Sequence, residues 1–215
     1  MTDLVAGRYP ISEEEWLLDG QPYPPYRRTI SRRDIVASAN FIPTVTTLNV
    51  YAIPVQQGDI FNFVSFLVKT AGGTLTHSWV AVYNGVATGA ALLAQVADNT
   101  TSTGWAIGAQ KLQLAAAVND VGQPGTPQGA AGGPGSWSLT AAAPAVWGIA
   151  FYQSGTTGDT VDGMSSSAVA GAVAVTGQVP FYSTGTLSAT ATAPAVLPTM
   201  AAAVGGIPYL LLSKS

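Results

Sequence analysis

The sequence of 215 residues predicts an all-β fold: a jelly-roll-like antiparallel β-sandwich preceded by an extended N-terminal arm with one short helix. Three observations predict it. Short runs rich in Val, Thr, Tyr and Phe recur after residue 41, with Gly, Pro and Asn between them. Helical periodicity is nearly absent from that region. The first 40 residues differ in kind, because 11 of the 19 charges of the chain fall before residue 35. The expected division is therefore an anchoring arm, 1–40, and a sandwich domain, 41–215.

In the arm, Ser12 and Glu15 have the spacing of a capping box, and Glu13, Glu14 and Glu15 suit the first turn of a helix. Trp16, Leu17 and Leu18 give that helix an apolar edge, and Gly20 ends it. A helix this short needs a surface to dock on. The following Gln-Pro-Tyr-Pro-Pro-Tyr favours an extended path that projects Tyr23 and Tyr26. Arg27, Arg28, Arg32 and Arg33 then surround Thr29, Ile30 and Ser31. Apolar edge, tyrosines and arginine forks together read as an assembly anchor.

In the body, strands are expected at 45–55, 60–69, 78–83, 92–97 and 111–114. Gly72-Gly73 and Asn84-Gly85 are turn signals, the second of the tight kind. Residues 118–135 form a Gly/Pro/Gln loop. Strands at 137–139, 145–152, 169–175, 187–192 and 209–212 complete the set. The Ala triplets at 115–117, 141–143 and 201–203 are candidate helical turns.

Composition bears on function as well. The chain has no cysteine, so disulfides and thiolate chemistry are excluded. Its net charge of −3 does not point to nucleic acid or a membrane. Only 9% of residues are charged, against about 25% in a typical domain. A surface so poor in charge is either neutral and small-residue-rich or packed against neighbours. The N-terminus lacks the pattern of a secretory signal, so synthesis in a cytoplasm without general export is expected.

Catalytic groups are scarce. His77 is the single histidine, no Gly-x-Ser-x-Gly elbow is present, and the body contains no glutamate. No metal-ligand spacing occurs. Asp159 and Asp162 either hold a loop cation or are solvated, the latter favoured. Neither catalytic residues, cofactor nor metal are expected. Trp105 and Trp137, in or beside polar loops, are candidate glycan contacts if their rings are open, and otherwise pack under those loops. Trp79 and Trp147 lie within strands and are expected in the core.

Ser78-Trp-Val-Ala-Val-Tyr-Asn, then Leu92-Leu-Ala-Gln-Val-Ala-Asp, then Trp105 form an ordered pattern. It resembles β-sandwich domains in virion proteins of tailed phages of actinobacteria, of the minor tail protein type. There a strand of the form Trp-x-Ala-Leu-Tyr precedes Leu-Leu-Ala-Gln-x-Ala-Asp and a Thr-rich loop ending in Trp. Val82 stands where that family has leucine. The resemblance spans roughly residues 48–115. It implies a non-enzymatic structural or adsorption role on a virion, with tail and capsid positions both open. The expected partners are other virion proteins, copies of the chain (a trimer favoured) and a host-surface glycan.

Overall fold

The structure, a computed structural model, describes residues 26–28, 40–41, 43–99, 102–116, 139–164, 182–202 and 206–214. Its strands are β1 (Tyr26–Arg28), β2 (Asn40–Phe41), β3 (Thr47–Val55), β4 (Ile60–Phe61), β5 (Phe63–Thr70) and β6 (Gly73–Tyr83). They continue with β7 (Leu92–Gln95), β8 (Gly108–Gln113), β9 (Ala115–Ala116), β10 (Leu139–Thr140) and β11 (Ala145–Thr157). The last are β12 (Thr160–Met164), β13 (Tyr182–Thr186), β14 (Ala201–Ala202), β15 (Ile207–Pro208) and β16 (Leu211–Ser213). No helix occurs among the described residues.

The strands form an antiparallel β-sandwich. One sheet has the order β1-β16-β5-β12-β15, with β8 on the other edge of β5 and β2 on β12. The other runs β14-β13-β3-β11-β6-β7-β9, and β4 with β10 forms a small ribbon. Placing β11 between β3 and β6, while the chain crosses between sheets at β3–β5, β5–β6 and β11–β12, is winding of the jelly-roll kind.

The two sheets differ in patterning for a physical reason. In β5, Val64, Phe66 and Val68 point inward, while Ser65, Leu67 and Lys69 alternate outward. In β11 the run from Trp147 to Ser154 is buried throughout, because both its faces are covered. The inner face carries the core, where Phe66 meets Phe151 edge-on at 5.5 Å and Phe61 meets Trp147 at 5.9 Å.

The outer face of β3, β11 and β6 lies under residues 187–200, an irregular strap. Three aromatic side chains tie it down. Trp79 Nε1 donates to the Thr190 carbonyl at 2.9 Å, Tyr83 Oη to Pro194 at 2.9 Å, and Tyr152 Oη to Ser188 at 3.1 Å. Trp79 and Tyr152, opposite each other in register, stack at 4.8 Å. The strap replaces the strand expected at 187–192; the strand lies just before it, at β13.

Other expectations need correction. The run 60–69 is broken at Asn62 into β4 and β5. Asn84-Gly85 does not make a two-residue turn. The connection spans 84–91, with the Asn84 side chain accepting the Ala91 amide at 2.8 Å and the positive φ at Gly89. Ala115–Ala116 and Ala201–Ala202 are strands, and 141–143 is a bend. Of the strand expected at 209–212 only Leu211 and Leu212 are strand, in β16, and β15 precedes that stretch. The expected strand at 169–175 and the N-terminal helix lie outside the described residues. So do Trp137 and the loop 118–135.

Two short strands begin within the segment expected as the arm. β1 pairs with β16 (Tyr26↔Ser213, Arg27↔Leu212, Arg28↔Leu211), and β2 pairs with β12 (Asn40↔Asp162). These arm residues are strands of the body's own sheet.

Candidate functional site

Of the residues expected to anchor an assembly, Trp16, Leu17, Leu18, Tyr23, Arg32 and Arg33 lie outside the described residues. Tyr26, Arg27 and Arg28 form β1. From this edge strand Arg27 forks onto Asp59 in the turn between β3 and β4. Its Nε donates to Oδ2 at 2.6 Å and its Nη2 to Oδ1 at 2.9 Å. Asp59 Oδ2 also accepts the Gln56 amide at 2.7 Å, so one carboxylate both closes its own turn and holds the arm. Both side chains are about five-sixths buried, exposed only 16% and 15%. The seat of the arm is therefore a sheet edge plus one bidentate ion pair.

Asp159 and Asp162 are not solvated loop acids. Asp159 is fully buried in the turn joining β11 to β12. Its carboxylate accepts the Gly72 amide at 2.6 Å, the Trp105 amide at 3.4 Å and the Gln153 side-chain amide. The Asp159 amide in turn donates to Gln153 Oε1 at 2.8 Å. Burial pushes the Asp159 carboxyl above its ordinary value, and the bonds from Gly72, Gln153 and Trp105 oppose that rise. One acid thus gathers the turn after β5, the loop before β8 and the end of β11. Asp162, on β12, is paired with Lys69 at 2.5 Å. No group of three or more metal-ligating side chains occurs among the described residues.

His77 Nδ1 is hydrogen-bonded with Asp98 Oδ2 at 2.6 Å, the carboxylate accepting, and Asp98 Oδ1 accepts the Ser78 amide at 2.9 Å. A hydrolase would need a hydroxyl at the far nitrogen. Ser154 lies opposite His77 in register, but it is buried and its Oγ is 2.7 Å from Thr76 Oγ1. The pair reads as a tie between β6 and the segment after β7. The tyrosines of the strap are held neutral by their setting: burial raises Tyr83, and burial with the nearby Asp98 charge raises Tyr152 against a lowering bond from Ser154.

Trp105, expected as a glycan contact or as packing, packs. It is 5% exposed and meets Phe66 at 5.0 Å and Phe151 at 5.2 Å, both edge-on. A sugar platform needs an open ring face, which a ring between two core phenylalanines lacks. Trp79 and Trp147 are buried as expected.

The described residues carry nine charged side chains, and most are engaged within the molecule. Arg27 binds Asp59, Lys69 binds Asp162, Asp98 binds His77, and Asp159 is enclosed. Lys111 sits over the Phe63 ring at 4.3 Å. Arg28, on β1, and Lys214, just after β16, lie at the same sheet edge. Outward-facing apolar side chains include Ile107 and Val196, 69% and 53% exposed. The chain matches no protein-family model, and no curated protein matches it in sequence.

Proposed function

We propose that this chain is a non-enzymatic structural protein of a tailed-phage virion, a minor tail or adsorption component attached through its N-terminal segment. The observation that carries the reading is the engagement of nearly all body charge within the molecule. An isolated domain keeps itself soluble with free surface charge. A body that ties its charges inward suits a particle in which neighbours cover much of it. The ordered pattern Ser78–Asn84, Leu92–Asp98 and Trp105 supports the phage assignment by resemblance. Copies of the chain, as a trimer, and neighbouring virion proteins are its partners in this reading, and the virion is its location.

A second position, capsid decoration protein or head fibre, draws on the same neutral surface. The free carbohydrate-binding module is weakened, because Trp105 is enclosed; it would rest on Trp137 alone. Electron microscopy of the native particle, with an antibody against this chain, separates these. Label at the tail tip or along a fibre supports the adsorption role. Label repeated over the capsid lattice makes the chain a decoration protein. A chain recovered only as free monomer overturns the assembly reading.

A further inference from the structure

We propose that the strap, residues 187–200, is a lid that lifts as a unit, and that the aromatic trough beneath it is a docking site for the strap of a second copy of this chain. This goes beyond the virion reading and does not depend on it, since copies need only meet. The two feet of the strap, β13 and β14, pair with each other (Ser183↔Ala202, Thr184↔Ala201). Its neck is therefore closed, and lifting it breaks no pairing between the named strands. Little apolar surface holds it down. Ala193 and Leu197 are its buried side chains, while Ser188, Ala189, Ala191, Thr192, Ala195, Val196 and Thr199 are exposed. A segment held this way belongs to the low-stability end of a fold.

The trough holds the strap by its backbone. Trp79, Tyr83 and Tyr152 donate to the carbonyls of Thr190, Pro194 and Ser188, and Gln95 Oε1 accepts the Ala193 amide at 3.0 Å. Along the rim the Leu92 amide donates to the Ala195 carbonyl at 2.9 Å and the Leu197 amide to the Ala90 carbonyl at 2.8 Å. Ala91 and Val196 face each other there as in an added strand. The floor does not need the strap for its shape. Trp79 and Tyr152 stack on paired strands, and the shallow pair Ala81 and Ala150 comes next along the same face. A trough that reads backbone groups over small side chains takes an identical segment from another molecule as well as its own. A second copy brings that segment. Each copy then gives one strap and takes one, with every bond above remade between molecules.

Three measurements on the full-length chain test this. In hydrogen exchange, the amides of Leu92, Ala193 and Leu197 should exchange together and about a hundredfold faster than those of Ile149, Ala150 and Phe151 in β11. Exchange at the β11 rate overturns the lid. In calorimetric titration, a synthetic peptide of residues 187–200 should bind the Ala193→Asp/Leu197→Asp variant, whose own strap cannot settle back. It should bind wild type about tenfold more weakly, because there the trough is open only part of the time. No binding by a variant that still melts cooperatively overturns the docking site. A variant that does not melt cooperatively leaves the wild-type exchange pattern to decide. In analytical ultracentrifugation, wild type should associate, and excess peptide should return it to monomer. A chain that stays monomeric, or an oligomer that the peptide leaves intact, overturns the second copy as occupant. None of these outcomes bears on whether the chain belongs to a virion, which particle labelling decides separately.

Discussion

Arg27 and Asp59 are 32 residues apart in the chain, yet they meet through two parallel hydrogen bonds of 2.6 and 2.9 Å. The pair fastens the first strand to the sandwich where β1 alone, three residues long, could not. Arg27→Ala leaves Asp59 largely buried with the Gln56 amide as its remaining bond. We expect a loss of about 1–3 kcal/mol in urea unfolding. Lysine at the same place keeps the charge but not the fork, so Arg27→Lys should fall between the two. Truncation before residue 26 should leave stability unchanged, and truncation before residue 29 should lower it. Equal stability of the two truncations would show that β1 is no part of the folded body.

The Asp159 carboxylate faces three N–H donors, which decides what an isostere does there. Asp159→Asn turns an amide NH2 toward donors and should cost about 2–4 kcal/mol at neutral pH. The pH dependence has a defined sign. Burial raises the folded-state carboxyl above its unfolded value, so the folded protein binds this proton more tightly. Stability contributed by the group therefore rises as pH falls from above the folded value toward the unfolded one. Wild type should gain on the non-titrating Asn variant as pH is lowered through that window. Chemical unfolding of both at a series of pH values checks it; a gap that narrows on acidification contradicts the assignment.

Gly104 and Gly58 both have positive φ, +69° and +84°, but only one has a neighbour in the way. A Cβ at Gly104 would run into the Asp159 carboxylate, whereas Gly58 opens onto free space. Gly58→Ala should cost about 1 kcal/mol, the backbone term alone. Gly104→Ala should cost more, about 2–4 kcal/mol, because it also displaces a buried carboxylate. Thermal melts of the two variants side by side give the comparison. Similar melting temperatures would mean the Gly104 loop can move away without loss.

Trp105 joins the loop before β8 to the core through Phe66 and Phe151. Trp105→Ala should destabilise by about 3–5 kcal/mol, the usual cost of emptying an aromatic site. Its fluorescence should be shielded from iodide quenching in the native protein. A stable Trp105→Ala variant with lost glycan binding would restore the carbohydrate role to this residue.

Much of the sandwich was legible in the sequence because β3, β6 and β11 carry their own signal. Val, Thr, Tyr and Phe cluster there, and two of the three strands bury both faces. The strap was not legible. Leu187 to Thr192 alternates like a strand, but its backbone finds Trp79 and Tyr152 instead of a neighbouring strand. A partner 111 residues away leaves no local trace. The same distance effect hid Asp159, whose Gly-Asp setting resembles a wet turn until Gly72 and Trp105 arrive from elsewhere. β1 was missed for a related reason. Tyr26-Arg-Arg has no strand pattern, and it is held by the opposite end of the chain. Of the candidate anchor residues, Arg27 bonds within the molecule, to Asp59, a partner 32 residues away that leaves no local trace either.

The strap over β3, β11 and β6 also limits how copies of this protein can meet. In an ordinary two-layer sandwich either outer sheet face is available to a neighbour. Here one of them is already the floor of a third layer, closed by Trp79, Tyr83 and Tyr152 with Leu197 and Ala193 packed in. Over these three strands a neighbouring copy on that side would touch loop backbone, Thr, Ala and Pro side chains and the exposed Val196. Among the described residues, the face of β3, β11 and β6 is therefore closed to direct sheet-to-sheet packing, so a copy approaching from this side would meet the strap before it met a strand.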